Sequence, residues 1–263
     1  MVGMMFMTPL TLAVSLTAAP ASFAEPVPGT SLSITMIPIQ CSDDAPTIGV
    51  ARDETSWDLY DSLVYRLDVP KGEADDDGGL TRPTKPYLMA DRGWGHAGYP
   101  ALSVNHTGAE AFCAWMSAKT GRPWRLPTVA EWKAMCATSG ITPQELTKYA
   151  WVKDNAKRKT HPLGSLAPDA NGLHDLHGDV AEWCTTPDGR FVLMGLSYLD
   201  ATPTELCSAQ KTPVPEWNDT DPQIPKSIWW LSDAAFAGFR VVCETPPPAA
   251  TNSSEDPEKE PTS

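Results

Sequence analysis

The sequence predicts a single loop-rich α+β domain over roughly residues 30–244. Three observations lead there. The 26 prolines and 18 glycines are more than long helices or a regular parallel sheet tolerate. Yet 41% of the 263 residues are apolar, enough for one large core. Short alternating segments are interleaved with short helical ones, without an internal repeat. All ten tryptophans lie between Trp57 and Trp230, so the core is expected inside that window.

Residues 31–39 alternate, with Leu32, Ile34 and Met36 on one side, and predict an opening strand. Residues 55–67 place Trp57, Tyr60, Val64 and Leu67 at helical spacing, with Thr55 as the expected cap. Residues 70–99, with Asp75-Asp76-Asp77-Gly78-Gly79, predict a long irregular segment. Two helices then open on the Ser/Thr-x-x-Glu pattern, at Thr107–Glu110 and Thr128–Glu131. In that pattern the hydroxyl caps a free backbone N–H and the glutamate reaches back to the cap residue. The first should stop at Gly121 and the second near Gly140. Residues 149–183 show little periodicity, and residues 190–194 and 238–243 predict strands.

The two ends differ from the middle. Residues 1–24 carry no charge and finish Ala21-Ser22-Phe23-Ala24, the small-x-small ending of a secretory leader. Its apolar run is too short to cross a bilayer and is broken by Pro9, so no stable membrane insertion is expected once it is cut. A periplasmic or extracellular location follows. Residues 245–263 are Pro-rich and acidic and predict a disordered tail. The net charge of −13 argues against nucleic acid as a partner. The six cysteines form no C-x-x-C pair, and in an exported chain disulfides are their expected state.

Four segments in fixed order carry a family resemblance. They are Ala111-Phe112-Cys113-Ala114-Trp115, the run from Arg125-Leu126-Pro127-Thr128 to Glu131-Trp132, the run from Gly172-Leu173-His174-Asp175 to Glu182-Trp183, and Gly238-Phe239-Arg240. Together they resemble the formylglycine-generating enzyme family, the sulfatase-modifying-factor domain. The resemblance implies a variant of the C-type-lectin-like fold. Arg125-Leu126-Pro127-Thr128 reads as a helix entrance, and Arg240 as a buried guanidinium holding a carboxylate or loop carbonyls.

Asp175, Asp179 and Glu182 put three carboxylates in eight residues, which repel unless neutralised. Oxygen donors at irregular spacing suit Ca²⁺. The resemblance places a structural calcium on the Asp175 and Glu182 side chains and the carbonyls of Gly178 and Val180. The family's second calcium site is not expected, because Trp151 stands at its side-chain ligand. His174 and His177 are the weaker, transition-metal alternative, since no third soft ligand stands at a telling spacing.

Family oxidases hold copper(I) on two cysteines after a Gly-Gly-Ser-Tyr/Trp motif. Here Ser197 and Tyr198 match, but the thiol positions fall on Asp200 and Glu205, leaving a degenerate site. Hard carboxylate oxygen does not replace thiolate toward Cu(I), so copper oxidase activity is not expected. The family's disulfides would join Cys113 to Cys243 and Cys136 to Cys207, leaving Cys41 and Cys184 for each other.

The resulting expectation is an exported binding or accessory module whose partner is a protein, peptide or glycan. The expected surface joins Arg92, Trp94, His96 and Tyr99 of the 70–99 segment with Trp217, Trp229 and Trp230. The alternative is a metal-dependent oxidase or oxygenase of altered chemistry around Ser197, Asp200, Glu205 and His177.

Overall fold

The architecture comes from a computed structural model that describes residues 21–72, 79–87 and 89–244. The expected tail and residues 1–20 of the expected leader lie outside those described. Strand β1 (Phe23–Pro26) pairs with β2 (Ser33–Gln40), Phe23 opposite Met36. A cut after Ala24 would thus remove half of β1.

The alternation read in the sequence buries Ile34 and Met36 on one face of β2. At Pro38 the pattern changes phase, and Ile39 packs into a second core. Antiparallel pairing continues through β3 (Thr47–Ala51) to β9 (Val242–Glu244) and β4 (Trp124–Arg125), giving the order β1-β2-β3-β9-β4. A smaller sheet runs β7-β6-β5-β8, from β5 (Ala181–Thr185), β6 (Phe191–Met194), β7 (Gln210–Lys211) and β8 (Ala237–Gly238). Its β5–β8 pair is parallel. The strand expected over 238–243 is therefore two pieces in different sheets, with Arg240 at the break.

Helix α1 (Trp57–Val64) is capped by Ser56, whose Oγ accepts from Leu59 N at 3.2 Å. The expected cap, Thr55, instead donates its N–H to Phe239 O at 2.8 Å. Helix α2 (His106–Thr120) opens at Asn105, and the expected Thr107–Glu110 box does not form. Asn105 N donates to Trp229 O at 2.9 Å, so a tertiary bond starts the helix early and leaves Thr107 inside it. It ends at Gly121 as the sequence predicts, with φ +69°, a conformation that favours glycine. Helix α3 (Val129–Thr138) carries the complete capping box, with Glu131 N donating to Thr128 Oγ1 at 3.2 Å and Thr128 N to Glu131 Oε2 at 2.8 Å. Arg125 then grips Glu131 with two bonds of 2.6 and 2.7 Å.

Two cores result. One gathers Trp57, Tyr60, Phe112, Trp115, Trp183 and Phe239 between α1, α2 and the sheets. The other surrounds Trp132, Met135, Leu176 and Met194 under α3. Trp230 belongs to the first: it stacks on Trp57 at 6.2 Å and donates to Thr84 O at 2.8 Å, so it is core and not binding surface.

Of the expected disulfides, Cys136–Cys207 is present, with Cα atoms 5.7 Å apart. Cys113, Cys243, Cys41 and Cys184 are free thiols. Cys243 Sγ lies over Gly49 and accepts from Arg122 Nη2 at 3.1 Å, so the position expected of Cys113 is filled by a guanidinium. Cys184 is buried mid-strand in β5, whereas Cys41 is half-buried beyond the end of β2, and the two are not bonded.

Candidate functional site

Arg240, fully buried, is the hub of the site. Its Nε donates to Glu182 Oε1 at 2.7 Å, Nη1 to the carbonyls of Ala51 and Arg52 at 2.9 Å each, and Nη2 to His174 O at 2.8 Å. Glu182 Oε2 accepts from Trp132 Nε1 at 3.1 Å. One guanidinium thus ties β3, the 172–180 loop and β5 together.

Further carboxylates crowd this hub. Glu54 Oε1 accepts from Val180 N at 3.0 Å, while its Oε2 has no partner. Asp179 accepts from His161 N at 3.1 Å. Neither oxygen of buried Asp175 makes a full hydrogen bond, though the Gly164 N–H approaches the carboxylate, and Asp53 Oδ1 has no partner. Asp175 and Asp179 both take positive φ, +54° and +56°, which turns the loop back on itself twice. Burial, with mutual repulsion, pushes Glu54 and Asp179 well above the ordinary carboxylate range. Burial also pushes Asp175 up to about 7 despite Arg240 beside it. Asp53, Glu54, Asp175, Asp179 and Glu182 outnumber the two cations beside them, Arg240 and Arg52, the latter paired with Asp53 at 3.0 Å. Such a set needs bound protons or a further positive ion.

The donor chemistry fits calcium in part. Asp175, with two buried oxygens that make no full hydrogen bond, suits a hard cation. Glu182 has both oxygens engaged by Arg240 and Trp132, so it acts on the loop through Arg240. Among the described residues no three His, Cys, Asp or Glu side chains gather around a common point that could hold a metal ion. Any ion here would rest on Asp175 and loop carbonyls such as those of Gly178 and Val180. Gly178 packs so tightly that an added Cβ would lie 2.5 Å from Trp151 O.

The two histidines part company. His174 Nδ1 lies 3.0 Å from Leu166 O, and His177 Nε2 lies 3.1 Å from Ser139 Oγ. Burial holds His177 down at about 4, so it stays neutral and packs beside the Cys136 sulfur.

At the degenerate centre, Asp200 is a structural tie. Its Oδ2 accepts from Ser197 N at 2.8 Å, Ser197 Oγ at 2.7 Å and Lys211 Nζ at 2.8 Å. Glu205 is exposed and precedes the short helical turn Leu206–Ser208, whose Cys207 is bonded to Cys136. Tyr198 is buried, and burial pushes its hydroxyl up to about 12. The Trp94 ring meets Tyr198 edge-on at 5.1 Å, and Arg92 Nη2 donates to Ser232 O at 2.6 Å. The two loops proposed as a surface therefore meet over Tyr198. Trp217 is half-buried against Trp183 and Phe236.

Asp53 and Glu54 escaped the sequence reading. They follow β3 and look like any solvated acidic pair; only the burial of Glu54 and of Asp53 Oδ1, more than 120 residues from Asp175, gives them away.

The model of the sulfatase-modifying factor enzyme 1-like domain matches residues 89–244, more than half of the chain. The chain belongs to this family. A formylglycine-generating enzyme of Thermomonospora curvata is 28% identical over 33% of this chain and 33% of its own length. A serine/threonine-protein kinase, pkn1, of Chlamydia caviae is 30% identical over 34% of this chain and 14% of the kinase. The similarity thus spans a third or less of these relatives. Among solved structures, Treponema denticola variable protein 1 superposes with a TM-score of 0.59 at 19% identity, covering 86% of this chain and all of that one. PvdO from Pseudomonas aeruginosa gives 0.52 at 20% identity, covering 86% and 92%. These neighbours share the fold, and the expected sulfatase-modifying-factor architecture holds. Among the described residues no helix is long and apolar enough to cross a membrane.

Proposed function

We propose that this family member is an exported binding or accessory module that works without copper redox chemistry. The observation that carries the reading is the fate of the two thiol positions. Asp200 is consumed by Ser197 and Lys211, and the nearest downstream sulfur, Cys207, is locked to Cys136. A soft Cu(I) ion finds no thiolate pair beside Ser197. Similarity to a stretch amounting to only 14% of a kinase supports use of the domain as an attached module. The ligand is a protein, peptide or glycan, and the face offered to it surrounds Trp94, with exposed Leu199 and Met89 nearby in sequence to Tyr198 and Trp94.

Calcium belongs to the same reading as a structural ion. Asp175 and the carbonyls of Gly178 and Val180 would hold it, and its charge would offset the carboxylates that Arg240 leaves over. Chelation should lower the melting temperature of the purified protein by several degrees, and added Ca²⁺ should restore it. An unchanged melting curve in EDTA would remove calcium from the account. For the module itself, oxygen consumption is to be followed with a peptide containing C-x-P-x-R and added copper. No consumption above the peptide-free rate is expected; sustained turnover would make the protein an oxidase.

A further inference from the structure

The segment that brings Trp94 to Tyr198 is held by an unusual clamp. His96 Nε2 lies 2.7 Å from Asp61 Oδ2 on α1, and its Nδ1 lies 3.0 Å from Asp91 Oδ2 in its own segment. The imidazole also stacks on Trp57 at 5.0 Å with only 14° between planes. A neutral imidazole has one N–H and one lone pair, so it can satisfy only one of two carboxylates. Both contacts are made at once only when the clamp carries an extra proton, which makes the ring a cation over an indole face.

We propose that His96 is a proton-operated latch: charged, it pins residues 91–99 to α1 and keeps Trp94 over Tyr198; neutral, it frees that segment and uncovers the face around Tyr198. Between its ends the segment's backbone bonds are local turns. Asp91 Oδ1 accepts from Gly93 N at 2.9 Å, Asp91 O from Trp94 N at 3.0 Å, and His96 O from Tyr99 N at 3.0 Å, so both turns hinge on the clamped residues. Gly98 N donates to Asp58 Oδ2 at 2.7 Å, Gly98 O accepts from Leu163 N at 2.9 Å, and Trp57 N donates to Tyr99 O at 2.9 Å, anchoring the far end. The near end is held by Ala90, buried in the first core, and by Arg92 reaching Ser232.

The titratable groups around His96 are Asp58 and Asp61 from α1, Tyr65 just past its end, and Asp91 from its own segment. Partial burial pulls His96 down, but its bonds to Asp61 and Asp91 outweigh this and hold it above its ordinary value. A histidine raised on folding contributes stability that is complete below the unfolded value of ~6.5 and lost as pH rises through the folded one. The latch therefore holds in mild acid and releases on the alkaline side.

The test is an NMR titration of the imidazoles combined with hydrogen exchange of the Trp94 and Gly93 amides. His96 should titrate above the ordinary histidine value of ~6.5. Protection of both amides, corrected for intrinsic exchange, should fall at least about tenfold between pH 6 and pH 9. His96→Gln should show the low protection at both pH values, while His106→Gln should keep the wild-type dependence. Asp91→Asn, which retains the imidazole, should lower the His96 titration point and flatten the response. A His96 titrating at or below 6.5, or protection independent of pH in the wild type, would overturn the latch.

Discussion

Arg240→Ala should leave the protein largely unfolded at 37 °C. The change strands the Glu182 charge in a fully buried site and strips donors from the carbonyls of Ala51, Arg52 and His174. Removing one partner of a buried pair costs ~3–5 kcal/mol, before the unmet carbonyls are counted. A domain stable by only ~5–15 kcal/mol has little left after that. Glu182→Gln should cost less, because Arg240 keeps its three carbonyl partners and the amide oxygen can still accept from Nε. Urea unfolding followed by tryptophan fluorescence measures both, and a loss below ~1 kcal/mol for Arg240→Ala would refute the hub.

The second large effect concerns Cys136–Cys207, which closes a loop with a sequence separation of 71 and ties α3 to the chain beyond Asp200. The loop-entropy model gives ~4 kcal/mol for a loop of this length. Cys136→Ala with Cys207→Ala, or full reduction, should therefore lower the melting temperature by ~10 °C, at ~2–4 °C per kcal/mol for a domain of this size. Non-reducing peptide mapping should recover the pair as one linked fragment, with Cys41, Cys113, Cys184 and Cys243 alkylated beforehand. Equal melting with and without reductant would show that the bond does no structural work.

What was legible in the sequence was local or closely spaced. The Thr128–Glu131 box and the Gly121 stop depend on residues a few positions apart, and both form as read. The matching pattern at Thr107 fails because a carbonyl more than 120 residues away, Trp229 O, captures the Asn105 N–H first. The same limit divides the site. Asp175, Asp179 and Glu182 stand out as a crowded run, and Arg240 reads as a holder of carboxylate or carbonyls; it holds both. The partners Asp53 and Glu54 carry no local mark, since burial of an acid is decided by the packed neighbours and not by its flanks. Likewise Cys243 sits near the right strand position, yet Arg122 takes the place beside its sulfur.

No soft-metal pocket is expected beside Ser197 while Cys207 stays bonded to Cys136, and the most direct measurement is a Cu(I) competition titration against a chromophoric chelator of the protein with that disulfide intact. Because Asp200 and Glu205 offer only hard oxygens, wild type should withdraw no copper beyond the level shown by a variant with all four free cysteines blocked. A tight, stoichiometric Cu(I) site that survives alkylation of Cys41, Cys113, Cys184 and Cys243 would contradict it.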